Sequence, residues 1–260
     1  LRWGAVRPAT GEEKKKMIKA NIMQIRSAYR WKPAVVGNQR RAKCRAVIQG
    51  FRDPHLHLLL RDSPVLTRVG FHLILLVAIS RDWSLSSSDC SSAFLQGGAA
   101  PERPEMIFGR LPKDSIFAEA VDMNRYGDLW AIVGSVYGLV NSPRLWHAEV
   151  TKRMKEKGWV VHSLDPALYL LWHDKTLIGI AGIHVDDMLS TFSRCQKGQA
   201  ARAVLKGAFH WGEWQDDAFV YCGKLVTADR KHKKIIINMP EFIKGTEIRM
   251  PSSRGRLEEK

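Results

Sequence analysis

Cysteine is scarce in this chain: four residues among 260, at positions 44, 90, 195 and 222, with no C-x-x-C pair. That spacing supports no zinc site, and without a secretory leader it supports no disulfide framework. The cysteines therefore read as reduced thiols of an intracellular protein. No apolar run approaches the roughly 20 residues that cross a bilayer. No apolar core follows the N-terminal charges, as a signal peptide requires. The G-x-x-x-x-G-K-[ST] segment of P-loop enzymes is missing, which speaks against an NTPase of that kind. Internal repeats and low-complexity tracts are missing too. The histidines form no metal-ligand set; His55 and His57 are a loop pair without a third ligand. The first residue is Leu1 rather than Met, so we expect a piece of something longer.

What is present is an ordinary globular composition, 45% hydrophobic and 26% charged, with a strong basic excess of +15. The excess is unevenly placed: +11 over residues 1–54, −2 over 55–190 and +6 over 191–260. Basic flanks attract polyanions by counterion release, and nucleic acid is the commonest such partner. A generally soluble basic protein is the competing reading. Nine Trp supply core mass and stacking surfaces for bases.

Hydrophobic spacing predicts a short amphipathic helix from Lys14 through Ile25, then candidate strands around a Gly37-Asn38 turn, with Ala46-Val47-Ile48 in one of them. A loop runs from Asp53-Pro54 to Pro64, and 69–79 reads as a helix buried on nearly every face. A strand enters Asp89, followed by a small-residue turn into Ala93-Phe94-Leu95, closed by Gly97-Gly98 and two prolines. Residues 129–140 read as strand or helix start, and 143–158 as a helix with an exposed basic face. Strands are expected at 167–172, 177–184 and 188–192, the last two forming a hairpin around Val185-Asp186-Asp187. A helix at 199–209 and strands at 219–226 and 234–239 follow.

Two carboxylates at the tip of an apolar hairpin repel in a low-dielectric setting unless a cation lies between them. Mg²⁺ takes oxygen ligands and suits such a pair; an exposed Asp-rich turn is the plain alternative. If Asp89 came beside Asp186 and Asp187 on a neighbouring strand, the set would hold two divalent ions for an in-line phosphoryl displacement.

Several segments carry a family resemblance. The run from Asp89 to Gly97, D-C-S-S-A-F-L-Q-G, resembles D-V-x-x-A-F-L-x-G, the first polymerase motif of copia-type retrotransposon reverse transcriptases. The run from Ser135 to Trp146 resembles their S-L-Y-G-L-K-Q-S-P-R-x-W, and His184 to Asp187 resembles their Y-V-D-D. Upstream, Lys43 to Val47 with Gly50-Phe51 is similar to K-A-R-L-V-x-x-G-F, and Ser63 to Arg68 fits S/A-P-V-x-x-R. Downstream, Phe219 to Gly223 stands where the family has Y-F-L-G, and Ile235 to Ile237 fits its I-x-I-S-Q stretch. These segments occur in order from about residue 30 to residue 250.

The resemblance implies an α+β right-hand polymerase, with an antiparallel palm backed by helices. Its limits would be a basic extension at 1–29, fingers at about 30–82 and 107–141, palm at about 83–106 and 142–230, the start of a thumb at 231–250, and a polar tail at 251–260. It implies RNA-directed DNA synthesis with two Mg²⁺, Mn²⁺ being an alternative, on a primed RNA or DNA template with deoxynucleoside triphosphates, without a membrane. Asp89, Asp186 and Asp187 would be the catalytic metal ligands, Asp187 the least directly engaged. Lys43 and Arg45 would meet the triphosphate, and Phe94 would exclude a ribose 2′-hydroxyl. Tyr137 and Gly138 would adjoin the nucleotide. Ser142, Pro143, Arg144, His184, Tyr221 and Gly223 would face template or primer; a core role for Tyr221 is equally compatible with the family. His184 departs from the family's Tyr or Phe, Val140-Asn141 from Lys-Gln, and Cys90 from Val. These departures keep open an inactive remnant that binds nucleic acid without polymerising, or an RNA-binding assembly module.

Overall fold

Strands form in this chain where β-branched and aromatic residues recur without a helical stripe, and they assemble into three sheets. The computed structural model describes residues 3–32, 41–98, 103, 105–113, 119 and 121–246. The first part comprises β1 (Val6–Pro8), α1 (Gly11–Lys16), β2 (Ile22–Lys32), β3 (Arg41–Ile48), α2 (Arg68–Ser80), β4 (Ser84–Asp89) and α3 (Ala93–Gln96). Next come β5 (Phe108–Arg110), α4 (Met123–Tyr126), β6 (Leu129–Ile132), α5 (Ser142–Glu156), β7 (Trp159–His162), β8 (Asp165–His173) and β9 (Thr176–His184). The chain continues through β10 (Asp187–Phe192), α6 (Gln196–Lys206), β11 (Gln215–Asp216), β12 (Ala218–Tyr221), β13 (Lys224–Asp229), β14 (Lys234–Asn238) and α7 (Pro240–Gly245).

The six-stranded sheet, β11-β4-β10-β9-β8-β7, is antiparallel throughout. A five-stranded sheet, β1-β6-β5-β2-β3, contains one parallel pair, β2 with β5. A three-stranded sheet, β12-β13-β14, completes the mixed α+β architecture.

The main core joins the six-stranded sheet to α2, α5 and α6, and holds Ile74, Trp146, Met154, Ile180 and Phe192. Burying each such side chain contributes about 1.5–3 kcal/mol. Gly182 makes room for α2: a Cβ there would lie 2.6 Å from Leu66 Cδ1 and 3.1 Å from Ile74 Cδ1. The start of α2 is tied down by the buried Asp165, whose carboxylate accepts from the Thr67 amide, the Thr67 hydroxyl and the Ala167 amide. Thr67 in turn caps the helix by accepting from the Gly70 amide. A second core, with Met23, Ile25, Ile48, Trp130 and Ile132, lies on the five-stranded sheet.

Several expectations are corrected. The helix predicted over 14–25 stops at Lys16, and the chain is extended from Ile22. Asn21, Met23 and Ile25 are buried at every second position, so strand alternation overrides the spacing of Met17, Ile18, Ile22 and Ile25. Helix α2 is not buried all round: Val69 is 77% and Leu76 62% exposed. The run 219–226 is two strands, because Cys222 and Gly223 both take positive φ, 48° and 77°, and turn the chain. Residues 129–132 are strand. Short strands β1, β5 and β7 were not anticipated. The Gly37-Asn38 turn, the prolines after Gly98 and the tail 251–260 lie outside the described residues. Among the described residues no helix is long and apolar enough to cross a membrane.

Candidate active site

Strand pairing brings the three carboxylates to one end of the six-stranded sheet. Asp89 ends β4, Asp187 begins β10, and the two are direct partners across the antiparallel pair. Asp187 also pairs with His184, so Val185 and Asp186 form the two-residue turn between β9 and β10. Val185 sits there at φ 57°, a region that β-branched residues seldom occupy. Two bonds hold the turn in place. The Trp146 indole N–H donates to the Val185 carbonyl at 2.6 Å, and the Cys90 amide donates to the Asp186 carbonyl at 2.6 Å.

The segment after Asp89 is fixed by buried Gln96. Its amide nitrogen donates to the Ser91 carbonyl at 2.7 Å and the His210 carbonyl at 3.2 Å, and its oxygen accepts from the His210 amide. On the far side, the Gly212 amide donates to the Asp89 carbonyl at 2.7 Å. A Cβ at Gly212 would collide with the Asp89 carboxylate, so a side chain there would have to displace that carboxylate.

Electrostatics at the sheet end follow from this crowding. Burial, then the charge of Asp186, and more weakly that of Asp89, hold the Asp187 carboxyl above its ordinary range; a bond from Cys222 opposes them. Burial and the Asp186 and Asp89 charges push the Cys90 thiol to about 12. The three Asp side chains offer only hard oxygen ligands, the donor type that Mg²⁺ takes. Asp187 Oδ2 is turned to Cys222, whose amide and thiol donate to it at 3.3 and 3.5 Å. Among the described residues no three His, Cys, Asp or Glu side chains already enclose a metal-sized gap.

The aromatic and basic candidates gather beside this end. The Phe94 and Tyr137 rings lie 5.3 Å apart, and the Arg45 guanidinium lies 5.4 Å from the Tyr137 ring. Burial raises the Tyr137 phenol, against the Arg45 charge, and the Asp186 charge adds to the rise. Lys43, Arg45, Ser92 and Tyr137 line one cavity of about 300 Å³. Gly138 has φ 95°, and a Cβ on it would run into the Ile48 carbonyl. The Ile48 amide donates to the Tyr137 carbonyl at 2.9 Å, tying β3 to this loop. Gly50 is equally constrained, packed on the Gly138 carbonyl.

The template and primer candidates are dispersed. Ser142 is buried, and its hydroxyl donates to the Val136 carbonyl at 2.6 Å, shaping the turn before α5. Pro143 occupies the first turn of that helix, and its carbonyl accepts from Ser63. Arg144 is exposed and donates to the Asp62 carbonyl. His184 is half-buried beside Asp187 in the pairing. Tyr221 is buried, stacked on Phe71 at 5.6 Å, and Gly223 is exposed at the adjoining turn. Trp146, Gln96, Gly212 and Cys222 were assigned no role from sequence. Trp146, Gln96 and Cys222 stood within motifs, but their contacts are not announced by them, and Gly212 stood outside every motif.

A family model described as reverse transcriptase (RNA-dependent DNA polymerase) matches residues 18–237. The chain belongs to the reverse transcriptase family. The copia-type resemblance is borne out by curated relatives of this reverse transcriptase domain. It is 29% identical over 156 residues to the retrovirus-related Pol polyprotein from transposon RE2 of Arabidopsis thaliana, covering 60% of this chain and 10% of that protein. The corresponding polyprotein from transposon RE1 of the same plant is 28% identical over the same length and coverage. The polyprotein from transposon TNT 1-94 of Nicotiana tabacum is 26% identical over 207 residues, 78% of this chain and 15% of the relative. The chain thus spans about a tenth to a seventh of the length of these relatives.

Proposed function

We propose that this reverse transcriptase domain extends a primer 3′-hydroxyl with deoxynucleotides on an RNA or DNA template. The observation that carries the reading is the placement of Asp89 opposite Asp187, with Asp186 in the turn between. Asp89 and Asp186 would hold two Mg²⁺ through their carboxylate oxygens, with Asp187 less directly engaged. When bound, the ions would lower the pKa of the attacking hydroxyl and neutralise the leaving pyrophosphate. The chain's own groups position the reactants. Lys43 and Arg45 pair with the triphosphate, Arg45 being steadied over Tyr137. Phe94, beside Tyr137, fills the space under the sugar and excludes a 2′-hydroxyl. Gly138 lets the loop before α5 approach β3, while Ser142 and Pro143 shape its turn. Arg144, His184 and Gly223 line the path of template and primer, and Tyr221, buried against Phe71, supports the turn that carries Gly223. No covalent nucleophile is required.

On this reading the five-stranded sheet belongs to the fingers: β3, β5 and β6 lie within about 30–82 and 107–141, and β1 and most of β2 join them from the extension at 1–29. The six-stranded sheet belongs to the palm, at about 83–106 and 142–230, and the thumb begins at 231–250. The charges, +11 before residue 55 and +6 after residue 190, flank the carboxylates as phosphate-holding arms would. A second reading, an inactive remnant that binds nucleic acid, draws on Val140, Asn141 and His184 and on the engagement of Asp187 by Cys222. Extension of a labelled primer on an RNA template with Mg²⁺ separates the two. Product that disappears in the Asp186→Asn, Asp187→Asn double variant supports polymerisation; template binding with no product above that control supports the remnant.

A further inference from the structure

The core on the five-stranded sheet is not filled. A cavity of about 300 Å³ lies between β2, β3, β6 and α3, with apolar walls from Ile25, Ile48, Leu95, Trp130, Ile132 and Val136. Ala46 also lines it, at the position where the K-A-R-L-V stretch has Leu, so the space of a longer side chain stays open. Lys43 and Arg45 line the same cavity, and among the described residues no acidic side chain does. The buried Nε of Arg45 has no hydrogen-bond partner among the described residues. An unmatched guanidinium N–H is the kind of donor that a carboxylate oxygen satisfies in a charge-assisted bond.

We propose that this cavity binds a hydrophobic carboxylic acid, with its apolar body among Ile25, Trp130 and Ile132 and its carboxylate on Arg45 and Lys43. An apolar cavity of about 150 Å³ holds one benzene ring, so this one accommodates about two fused rings. Its size matches the small end of ligand pockets, about 300 Å³. Burial of the rings supplies the affinity. The two cations orient the ligand and select an anion over a neutral molecule of the same shape. Arg45 is also the residue read above as pairing with the triphosphate, so the acid competes with a deoxynucleotide for it. The competition rests on the polymerase reading; the binding does not, and it is measured without nucleic acid.

The probe is 2-naphthoate, titrated calorimetrically into the whole chain, with 2-naphthamide as its neutral counterpart. Binding at one site per chain is expected, with the acid about tenfold tighter than the amide. Ala46→Leu restores the motif residue and fills the space, and Ile132→Phe fills it from β6. Each, with a cooperative thermal transition, should weaken both ligands about tenfold or more. Arg45→Gln should bring the acid down to the affinity of the amide and leave the amide within about twofold. No binding by the wild type, unchanged binding in both filling variants, or an unchanged preference for the acid in Arg45→Gln overturns the site. The expected binding in a chain that extends no primer would leave the site standing and remove the polymerase reading instead.

Discussion

Asp187 faces Asp89 directly across the β4–β10 pair while its own carboxylate accepts from Cys222, so two anions share one sheet end with a neutral donor at the rim. Burial, then the charge of Asp186 and more weakly that of Asp89, raises the Asp187 pKa. A carboxyl raised in the folded state contributes stability below its unfolded value, and that contribution is lost as pH rises through the folded value. Without divalent ions, the thermal midpoint of the wild type should therefore fall relative to Asp187→Asn as pH rises out of the ordinary carboxylate range. A constant difference between the two proteins across that window would contradict this account.

Added Mg²⁺ or Mn²⁺ should reverse the penalty. An ion that binds only the folded chain stabilises by about 2.7 kcal/mol at 100 times its Kd. The midpoint should climb with ion concentration in the wild type and stay flat in the Asp89→Asn, Asp186→Asn double variant. Calorimetric scans at fixed ionic strength check it.

Asp165 satisfies three donors at the start of α2 and β8. Asp165→Ala leaves the buried Ala167 amide unmatched and the part-buried Thr67 donors without their acceptor, and should cost about 1–3 kcal/mol in urea unfolding. A loss below 1 kcal/mol would mean that water reaches the site.

Gly138 and Gly223 both have positive φ, but only Gly138 is hemmed in, by the Ile48 carbonyl. Gly223→Ala should cost about 1–2 kcal/mol, the left-handed penalty alone. Gly138→Ala should cost more and should also shift the β3 segment carrying Lys43 and Arg45. Equal losses in urea unfolding would refute the close approach.

The four thiols should differ in reactivity. Cys195 is exposed at the N-cap of α6, where Ser193 and the Gly198 amide hold its pKa below the usual thiol value. Burial pushes Cys90 and Cys222 to about 12. Alkylation of the native chain at neutral pH, mapped by mass spectrometry, should label Cys195 ahead of exposed Cys44. Early labelling of Cys90 would be inconsistent with the packing around Asp89.

The hairpin carrying Asp186 was legible because two apolar runs flank a short polar turn, and Pro143 marked the start of α5. The pairing of β4 with β10 was anticipated only as a condition of shared metal binding; nothing local in 84–89 names its partner. The stretch 14–25 misled because Ile22 and Ile25 fit helical spacing with Met17 and Ile18, whereas burial follows Asn21, Met23 and Ile25. Strands β1 and β5 have three residues each, and β1 forms on contacts more than 100 residues away in sequence. Gly212 and Cys222 reach the carboxylates, and Gln96 reaches His210, only after the chain has folded back on itself, so their roles belong to tertiary structure.

The most direct test of the central claim is single-turnover addition of one deoxynucleotide to a primed RNA template in Mg²⁺. Asp89→Asn and Asp186→Asn should each lower the rate by at least about 100-fold, with Asp187→Asn the mildest of the three and duplex binding retained in all. An Asp89→Asn or Asp186→Asn protein that adds the nucleotide at the wild-type rate would contradict the assignment of these carboxylates as the reacting centre.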